Sequence, residues 1–154
     1  MATPKLFDVL IIGGGPSGLS MAVTLARQAQ TALILDSGAY RNAPSRHMHG
    51  VPGFDHVDPS AYRAKVRRDL AERYSACVEF QTARVREVRE VVEGGCFEAV
   101  DEEGRTYRGV KLGLATGVRD VLEKEVEGYK ECWGRGVYVS LVKVMMGVPE
   151  LTCV

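Results

Sequence analysis

The stretch DVLIIGGGPSG, residues 8–18, decides the fold of this chain. Residues 7–12 form an apolar run typical of a buried parallel strand, and this run leads directly into glycines that open a helix. Gly13 permits the tight turn, Gly15 lets the backbone approach phosphates, and Gly18 lets the helix pack closely on the strand. The N-terminus of that helix presents unpaired N–H groups and a positive dipole end. The stretch therefore predicts a site for a dinucleotide pyrophosphate.

The residues that follow supply the context that this motif requires. Apolar positions form a helical stripe through residues 19–26, and residues 31–35 (TALIL) follow as a second strand. That strand ends in Asp36, 18 residues after Gly18, near the spacing expected for the carboxylate that binds a ribose hydroxyl. The alternative is a helix-opening turn in another kind of α/β domain, which this context makes the weaker interpretation.

Composition and charge narrow the class of protein further. The 154 residues, 45% hydrophobic and 26% charged, suit one globular domain. The 20 basic and 20 acidic residues cancel, so nothing indicates nucleic acid or an anionic membrane as a partner. No apolar run reaches the length of a membrane span and no signal segment precedes the first strand, which predicts a cytoplasmic location. The four cysteines form no C-x-x-C pair, and we expect them to be small, half-buried apolar side chains.

Residues 37–58 have no helical or strand periodicity and are predicted to form a long loop. The loop carries hydrogen-bond donors suited to a cofactor or its substrate, namely Arg41, Asn42, Arg46, His47 and His49. The alternative is a solvated basic loop with no ligand.

Asp58 and Pro59 predict the start of a second helix that runs to about residue 75. Apolar and aromatic residues recur on one side of it at the spacing of a core-facing stripe, at positions 62, 66, 70 and 74. Five basic residues are expected to form a solvated face: Arg63, Lys65, Arg67, Arg68 and Arg73.

The rest of the chain is rich in strand patterns. Strand-like runs at 77–80, 84–92, 96–100, 106–109 and 110–115 are separated by glycine turns, and they predict a small antiparallel meander before the last apolar strand. That last strand leads into Ala115, Thr116 and Gly117, a second turn of small residues. In an open α/β sheet this strand end would lie beside the first, where ligands bind.

Five motifs, taken in order, carry a family resemblance. They are residues 8–18, 33–42 (LILDSGAYRN), 47–54 (HMHGVPGF), 114–120 (LATGVRD) and 128–135 (GYKECWGR). Through them the chain resembles the FAD-binding N-terminal part of the thioredoxin reductase family, and especially the fungal branch that includes gliotoxin-type dithiol oxidases. The resemblance implies an α/β fold: an incomplete FAD-binding domain with a Rossmann-like parallel sheet and a small antiparallel β-meander.

The resemblance also implies FAD as the cofactor and places residues around it. Gly13, Gly15, Pro16, Ser17 and Gly18 would hold the pyrophosphate, and Asp36 the adenosine ribose. The other positions carried over to the cofactor are Ser37, Arg41, Asn42, His49, Val85, Ala115, Thr116 and Gly117. No metal site is predicted, and the catalytic residues stay unassigned.

The likeness to the family ends near residue 138. Ser140 and Lys143 stand where the redox C-x-x-C of the family would lie. We therefore expect an FAD-binding segment over residues 1–138, a divergent tail over 139–154, and truncation before the nicotinamide domain. One hypothesis is that this tail is translated intron, because a splice-donor sequence GTGAGT would be translated as Val-Ser, as at Val139-Ser140. An abundant transcript that is contiguous with the genome here, with no longer spliced form, would reject this hypothesis.

The resemblance implies an FAD-binding oxidoreductase of the dithiol–disulphide class with a place in fungal secondary metabolism, acting on a dithiol or another small molecule. One alternative is a non-redox or inactive nucleotide-binding module. Another is a shortened flavoprotein with a different biosynthetic role, in which His47 or His49 is the acid or base. Intact members of the family are usually dimers, so the resemblance also raises homodimer formation for this chain.

Overall fold

The opening apolar run and the glycine turn form the elements that the sequence predicts. In the computed structural model, which describes residues 4–119 and 127–133, strand β1 spans Leu6–Ile12 and helix α1 spans Pro16–Arg27. Strand β2, Ala32–Asp36, follows and is buried along its whole length. A proline in the first turn suits α1, because its fixed φ matches the helix and the N–H it lacks would have no partner there.

The remaining elements begin with helix α2, Pro59–Arg73, whose N-terminus is capped by the predicted residue. The Asp58 carboxylate accepts hydrogen bonds from the backbone N–H groups of Ser60, at 2.7 Å, and Ala61, at 3.2 Å. After it come β3 (Val78–Thr82), β4 (Val85–Val91), β5 (Cys96–Asp101), β6 (Thr106–Leu114) and the short helix α3 (Tyr129–Cys132).

The six strands form one mixed sheet in the order β3-β2-β1-β6-β5-β4. The four strands β3, β2, β1 and β6 run parallel, and β4, β5 and β6 form an antiparallel meander. Ile12 pairs with Leu35 on one side and Leu114 on the other, so the carboxyl ends of β1, β2 and β6 meet at one edge. The predicted α/β architecture, a Rossmann-like sheet with a meander, is confirmed.

Two details of the strand prediction were wrong. The run at 77–80 belongs to β3, which lies beside β2 in the parallel part and not in the meander. The runs at 106–109 and 110–115 form the single strand β6. Gly109 lies within this strand and lets it pack closely on β1. A Cβ at this position would lie 2.7 Å from Cγ of Leu10.

The apolar core covers both faces of the parallel strands. On one face, Val9, Ile11 and Ile34 pack with residues of the helices, among them Leu19 and Leu70. On the other face, the alternate residues of β1 and β2 pack against apolar side chains of the meander. Burial on both faces explains why residues 9–12 of β1 and 32–35 of β2 are apolar without alternation.

The other sequence expectations have mixed outcomes. Residues 37–58 form the predicted long loop, without helix or strand. Cys96 is buried and Cys77 and Cys132 are partly buried, as expected; Cys153 lies outside the described residues. So does the whole predicted tail, with Ser140 and Lys143. Within the described part of the chain, no helix has the length and apolar character needed to cross a membrane.

Candidate functional site

Three loops converge where β1, β2 and β6 end. The backbone N–H of Gly13 donates to the carbonyl of Leu35 at 2.8 Å, and the N–H of Ala115 donates to the carbonyl of Ile12 at 2.9 Å. These bonds continue the ladder by one residue beyond the strands. They bring the glycine turn, the Asp36 segment and the turn at residues 115–117 together at the edge of the sheet where open α/β folds bind their ligands.

Two glycines of the turn are required by the protein itself. Gly13 has a φ of +115°, and a Cβ there would lie 2.3 Å from the carbonyl oxygen of Ala115. A Cβ on Gly18 would lie 1.9 Å from the carbonyl oxygen of Gly13. Both contacts involve backbone atoms, so a side chain on Gly13 would push away the turn after β6, and one on Gly18 would push α1 away from the end of β1. The roles expected for these two residues, a tight turn and close packing, agree with this geometry.

Gly15 is different, because nothing in the described protein requires a glycine there. Its φ of −76° and ψ of −175° lie in the extended region open to most residues. A Cβ on Gly15 would meet no atom of the described chain within 4 Å. The residue therefore borders open space in front of the helix, where a bound group could approach the backbone.

The N-terminus of α1 is also open to a ligand in a way that α2 is not. Asp58 caps α2, whereas no side chain among the described residues caps α1, and its first turn holds no acidic residue. Pro16 and the exposed Ser17 begin α1 directly after Gly15. The first N–H groups of a helix have no partner within it, so this uncapped end suits an anion.

Asp36 lies directly against the glycine turn. A Cβ on Gly14 would lie 2.1 Å from Oδ2 of Asp36, so this third glycine leaves room for the carboxylate. Oδ1 accepts a hydrogen bond from the backbone N–H of Gly38 at 2.9 Å, and Oδ2 accepts from the Tyr40 hydroxyl at 2.6 Å and from the Arg67 guanidinium. A carboxylate oxygen can accept two bonds, so these contacts leave Oδ1 with capacity for one more.

The charge of Asp36 is held in place by its surroundings. Burial raises the pKa of this carboxyl, but the hydrogen bonds from Tyr40, Gly38 and Arg67 outweigh burial and keep its pKa below the ordinary value. The carboxylate is therefore ionised at neutral pH and held in one orientation. An ionised, oriented acceptor is what recognition of a ribose hydroxyl needs.

The prediction that the basic residues of α2 form a solvated face was wrong for two of them. Arg67 pairs with Asp36 and lies over the Phe80 ring, with Cζ 4.5 Å from the ring centroid. Arg63 is buried, donates to Oδ1 of Asn42 at 3.0 Å and lies over the Tyr40 ring. A flexible basic side chain is drawn inward here because a buried carboxylate and two aromatic faces offset its loss of hydration.

The remaining predicted residues lie on other segments of the chain. Arg41 is exposed in the long loop, Asn42 is tied to α2 through Arg63, and His49 contacts Asp55. Val85 begins β4 and packs in the apolar cluster under the sheet. A shallow pocket lies between the end of β2 and the meander. It is lined by Ser37, Thr82, Ala83, Arg84, Asp101, Glu102, Glu103 and Arg105.

The sequence prediction missed three residues of the site. Gly14 lies within the motif at residues 8–18, but the motif indicates no role for it. Tyr40, four residues after Asp36, carried no signal beyond its place in the second family motif. Arg67 lies 31 residues from Asp36, and its helical position resembled that of a solvated residue.

Asp101, at the end of β5, lines this pocket, and its hydrogen bonds predict how the stability of the chain depends on pH. Its buried carboxylate accepts hydrogen bonds from the Arg105 guanidinium at 2.8 Å, the Arg105 N–H at 2.9 Å and the Tyr107 hydroxyl at 2.9 Å. Burial raises the pKa of Asp101, but these bonds prevail and lower it to about 2 from an ordinary 3.8. The unfolded chain therefore takes up this proton at higher pH than the folded chain, so the contribution to stability is present above pH 3.8 and is lost as the pH falls towards 2.

We expect the Asp101→Asn variant to lose less stability than the wild type between pH 5 and pH 2.5, measured by urea unfolding at each pH. The matched control is Glu102→Gln, which removes an exposed carboxylate from the neighbouring position. If the free energies of unfolding of the wild type and of Asp101→Asn fell in parallel with pH, the lowered pKa of Asp101 would be contradicted.

Taken together, the fold and the edge define a Rossmann-type nucleotide-binding protein. The chain belongs to the pyridine nucleotide-disulphide oxidoreductase family, whose family model matches residues 7–142 and whose members are in general flavin-dependent. Its resemblance to thioredoxin reductase-like proteins is thereby confirmed.

The relatives of this chain include curated fungal proteins and solved structures. It is 45% identical over 142 residues to thioredoxin reductase sirT of Leptosphaeria maculans, covering 92% of this chain and 43% of that protein. It is 44% identical over 141 residues to thioredoxin reductase aclD of Aspergillus oryzae, covering 92% and 44%. The crystal structure of an oxidoreductase from Agrobacterium tumefaciens superposes with a TM-score of 0.76 at 36% identity, covering 85% of this chain and 43% of that one. The chain thus spans about two fifths of the length of these relatives.

Proposed function

We propose that this chain binds FAD through its adenosine diphosphate half, and that it serves an FAD-dependent oxidoreductase of the dithiol–disulphide class. The observation that carries the proposal is Gly15: it borders open space at an uncapped helix N-terminus, next in sequence to Gly14, which lies against Asp36. The flanking Gly13 and Gly18 are required by packing, so Gly15 is the position where a glycine leaves space for something other than protein.

The residues of the edge fit the cofactor part by part. Gly15 and the first turn of α1, with Pro16 and Ser17, would receive the pyrophosphate, and Gly13 and Gly18 would shape the turn around it. Asp36 would accept from a ribose hydroxyl through the free capacity of Oδ1, held ionised by Tyr40 and Arg67. Ser37 and Val85 would border the adenine end, with Arg41, Asn42 and His49 along the cofactor, and residues 115–117 would close over it from β6.

When bound, FAD supplies two-electron exchange with a dithiol or disulphide, while the protein supplies position and electrostatics. The sequence contains no C-x-x-C pair, the spacing of a reactive dithiol. We therefore propose that the chain holds and orients the cofactor and that the reacting thiols come from another segment or molecule. Homodimer formation, a cytoplasmic location and the division into residues 1–138 and 139–154 stay predictions.

Ligand selectivity tests the proposal directly. We expect one equivalent of FAD to bind the purified chain, and the quenching of flavin fluorescence measures this binding. ADP should compete with FAD, because both carry the diphosphate and adenosine that the edge receives. FMN, which lacks adenosine and has a single phosphate, should bind at least about 10-fold more weakly, a difference of about 1.4 kcal/mol. Equal binding of FMN and FAD would contradict the site, and equal binding of NAD⁺ and FAD would contradict the choice of flavin.

A second candidate is a nucleotide-binding module without redox activity. One observation favours it: Asp36 and the glycine turn, the features on which the proposed site is built, would bind only the adenosine diphosphate half of a dinucleotide. Loss of flavin colour when a dithiol is added to the FAD complex without oxygen supports the oxidoreductase. Tight ADP binding with no advantage for FAD, and no such bleaching, supports the module.

A further inference from the structure

All three histidines of the chain lie together on the long loop, outside the nucleotide edge built on the strand ends. The ring centroids of His49 and His56 are 4.6 Å apart, and those of His47 and His56 are 5.8 Å apart. Asp55 joins them, with Oδ1 3.2 Å from Nδ1 of His49 and Oδ2 3.8 Å from Nε2 of His56. One ligand atom from each of His49, Asp55 and His56 lies within 4.8 Å of the other two.

The backbone of the loop holds this cluster in place. The N–H of Met48 donates to the carbonyl of Val57 at 2.8 Å, and the N–H of His56 donates to the carbonyl of Met48 at 3.0 Å. Met48 is buried in the main core, and Phe54 packs edge-on against Tyr62 at 5.1 Å. Apolar residues thus anchor the loop from below and leave the histidines and Asp55 on its outer side.

His56 has an unusual backbone conformation. Its φ of +60° lies in the left-handed region, which few residues other than glycine adopt, although histidine does so more often than most. Sparsely populated conformations of this kind are found more often at binding sites than elsewhere. Here the conformation brings the imidazole of His56 next to the Asp55 carboxylate and the ring of His49.

We propose that His49, Asp55 and His56 form a binding site for Zn²⁺ or a similar late first-row divalent cation. Two imidazoles and a carboxylate are a donor set that zinc prefers, and bonds of about 2.0–2.2 Å place tetrahedral ligands about 3.3 Å apart. The distances of 3.2 Å and 3.8 Å to the two oxygens of Asp55 are close to this spacing. All three side chains are exposed, so small rotations can close the set and water can complete it.

The proposal does not rest on FAD binding. His49 was carried over to the cofactor from the family resemblance, whereas Asp55 and His56 were not. Variants of Asp55 and His56 therefore separate the two ideas, since we expect both to bind FAD like the wild type.

Zinc titration of the full chain, without a histidine tag, tests the site by NMR of the imidazole groups. The chain has three histidines, so every imidazole signal reports on this loop. We expect the signals of His49 and His56 to shift together and to saturate at one equivalent of Zn²⁺. Mg²⁺ at the same concentration should leave them unchanged, because it prefers oxygen ligands.

Three variants identify the ligands. Asp55→Asn and His56→Asn should each weaken Zn²⁺ binding by about 10-fold or more; asparagine suits the left-handed backbone at position 56. His47→Gln is the matched control, since it removes a neighbouring imidazole outside the ligand set and should retain stoichiometric binding. The proposal is overturned if the signals do not saturate at one equivalent, if the two asparagine variants bind Zn²⁺ like the wild type, or if His47→Gln abolishes binding.

Discussion

Replacing Gly15 with valine is expected to abolish FAD binding while leaving the fold intact. The backbone angles of Gly15 are allowed for valine, and its Cβ position meets no described protein atom within 4 Å. The added side chain would instead fill the space in front of α1 that the diphosphate needs. A steric conflict of about 3 kcal/mol, typical of overpacking, corresponds to a loss of affinity of more than about 100-fold.

Two measurements on Gly15→Val are required together. FAD affinity is measured from the quenching of flavin fluorescence, and the stability of the apoprotein is measured by urea unfolding. We expect a stability loss of about 1 kcal/mol, because this is the typical cost of replacing a favoured N-cap residue by an apolar one. Ser20→Val serves as the control, since it adds a similar side chain to the exposed face of the same helix. Retention of wild-type FAD affinity by Gly15→Val would show that the diphosphate does not lie at this turn.

Replacing Gly18 with alanine is expected to have the opposite outcome and to destroy the fold. The new Cβ would lie 1.9 Å from the carbonyl oxygen of Gly13 and 3.3 Å from Cβ of Ala115. Neither backbone segment can move away, because Gly13 is hydrogen-bonded to β2 and Ala115 to β1. We expect a loss of more than about 4 kcal/mol, in the range of the most damaging single substitutions.

The sign of this second effect makes it diagnostic. In an unhindered helix, glycine to alanine stabilises by up to about 1 kcal/mol through helix propensity. Ser20→Ala, on the exposed face of α1, should therefore change the free energy of unfolding by less than about 0.5 kcal/mol. If Gly18→Ala unfolds at the same urea concentration as this control, then α1 and β1 are not packed as described.

The long loop shows where prediction from sequence reaches its limit. Its position, its length and its donors could be predicted, because the absence of periodicity over residues 37–58 is a local property. The grouping of its histidines could not, because it depends on the bonds between Met48 and residues 56 and 57. Arg63 and Arg67 were misjudged for a similar reason: helical spacing shows that they share a region of α2, but not that a carboxylate and aromatic rings lie opposite.

The sequence by itself determined the strand–turn–helix unit, the second strand and the acidic residue at its end. Each of these follows from hydrophobic periodicity and from glycine and proline positions within a few residues. The tertiary structure decided which side chains hold Asp36, why Gly15 differs from Gly13 and Gly18, and where Asp55 meets the histidines. Those features arise from contacts between segments distant in the chain, whose partners are set only when α1 and α2 have packed on the sheet.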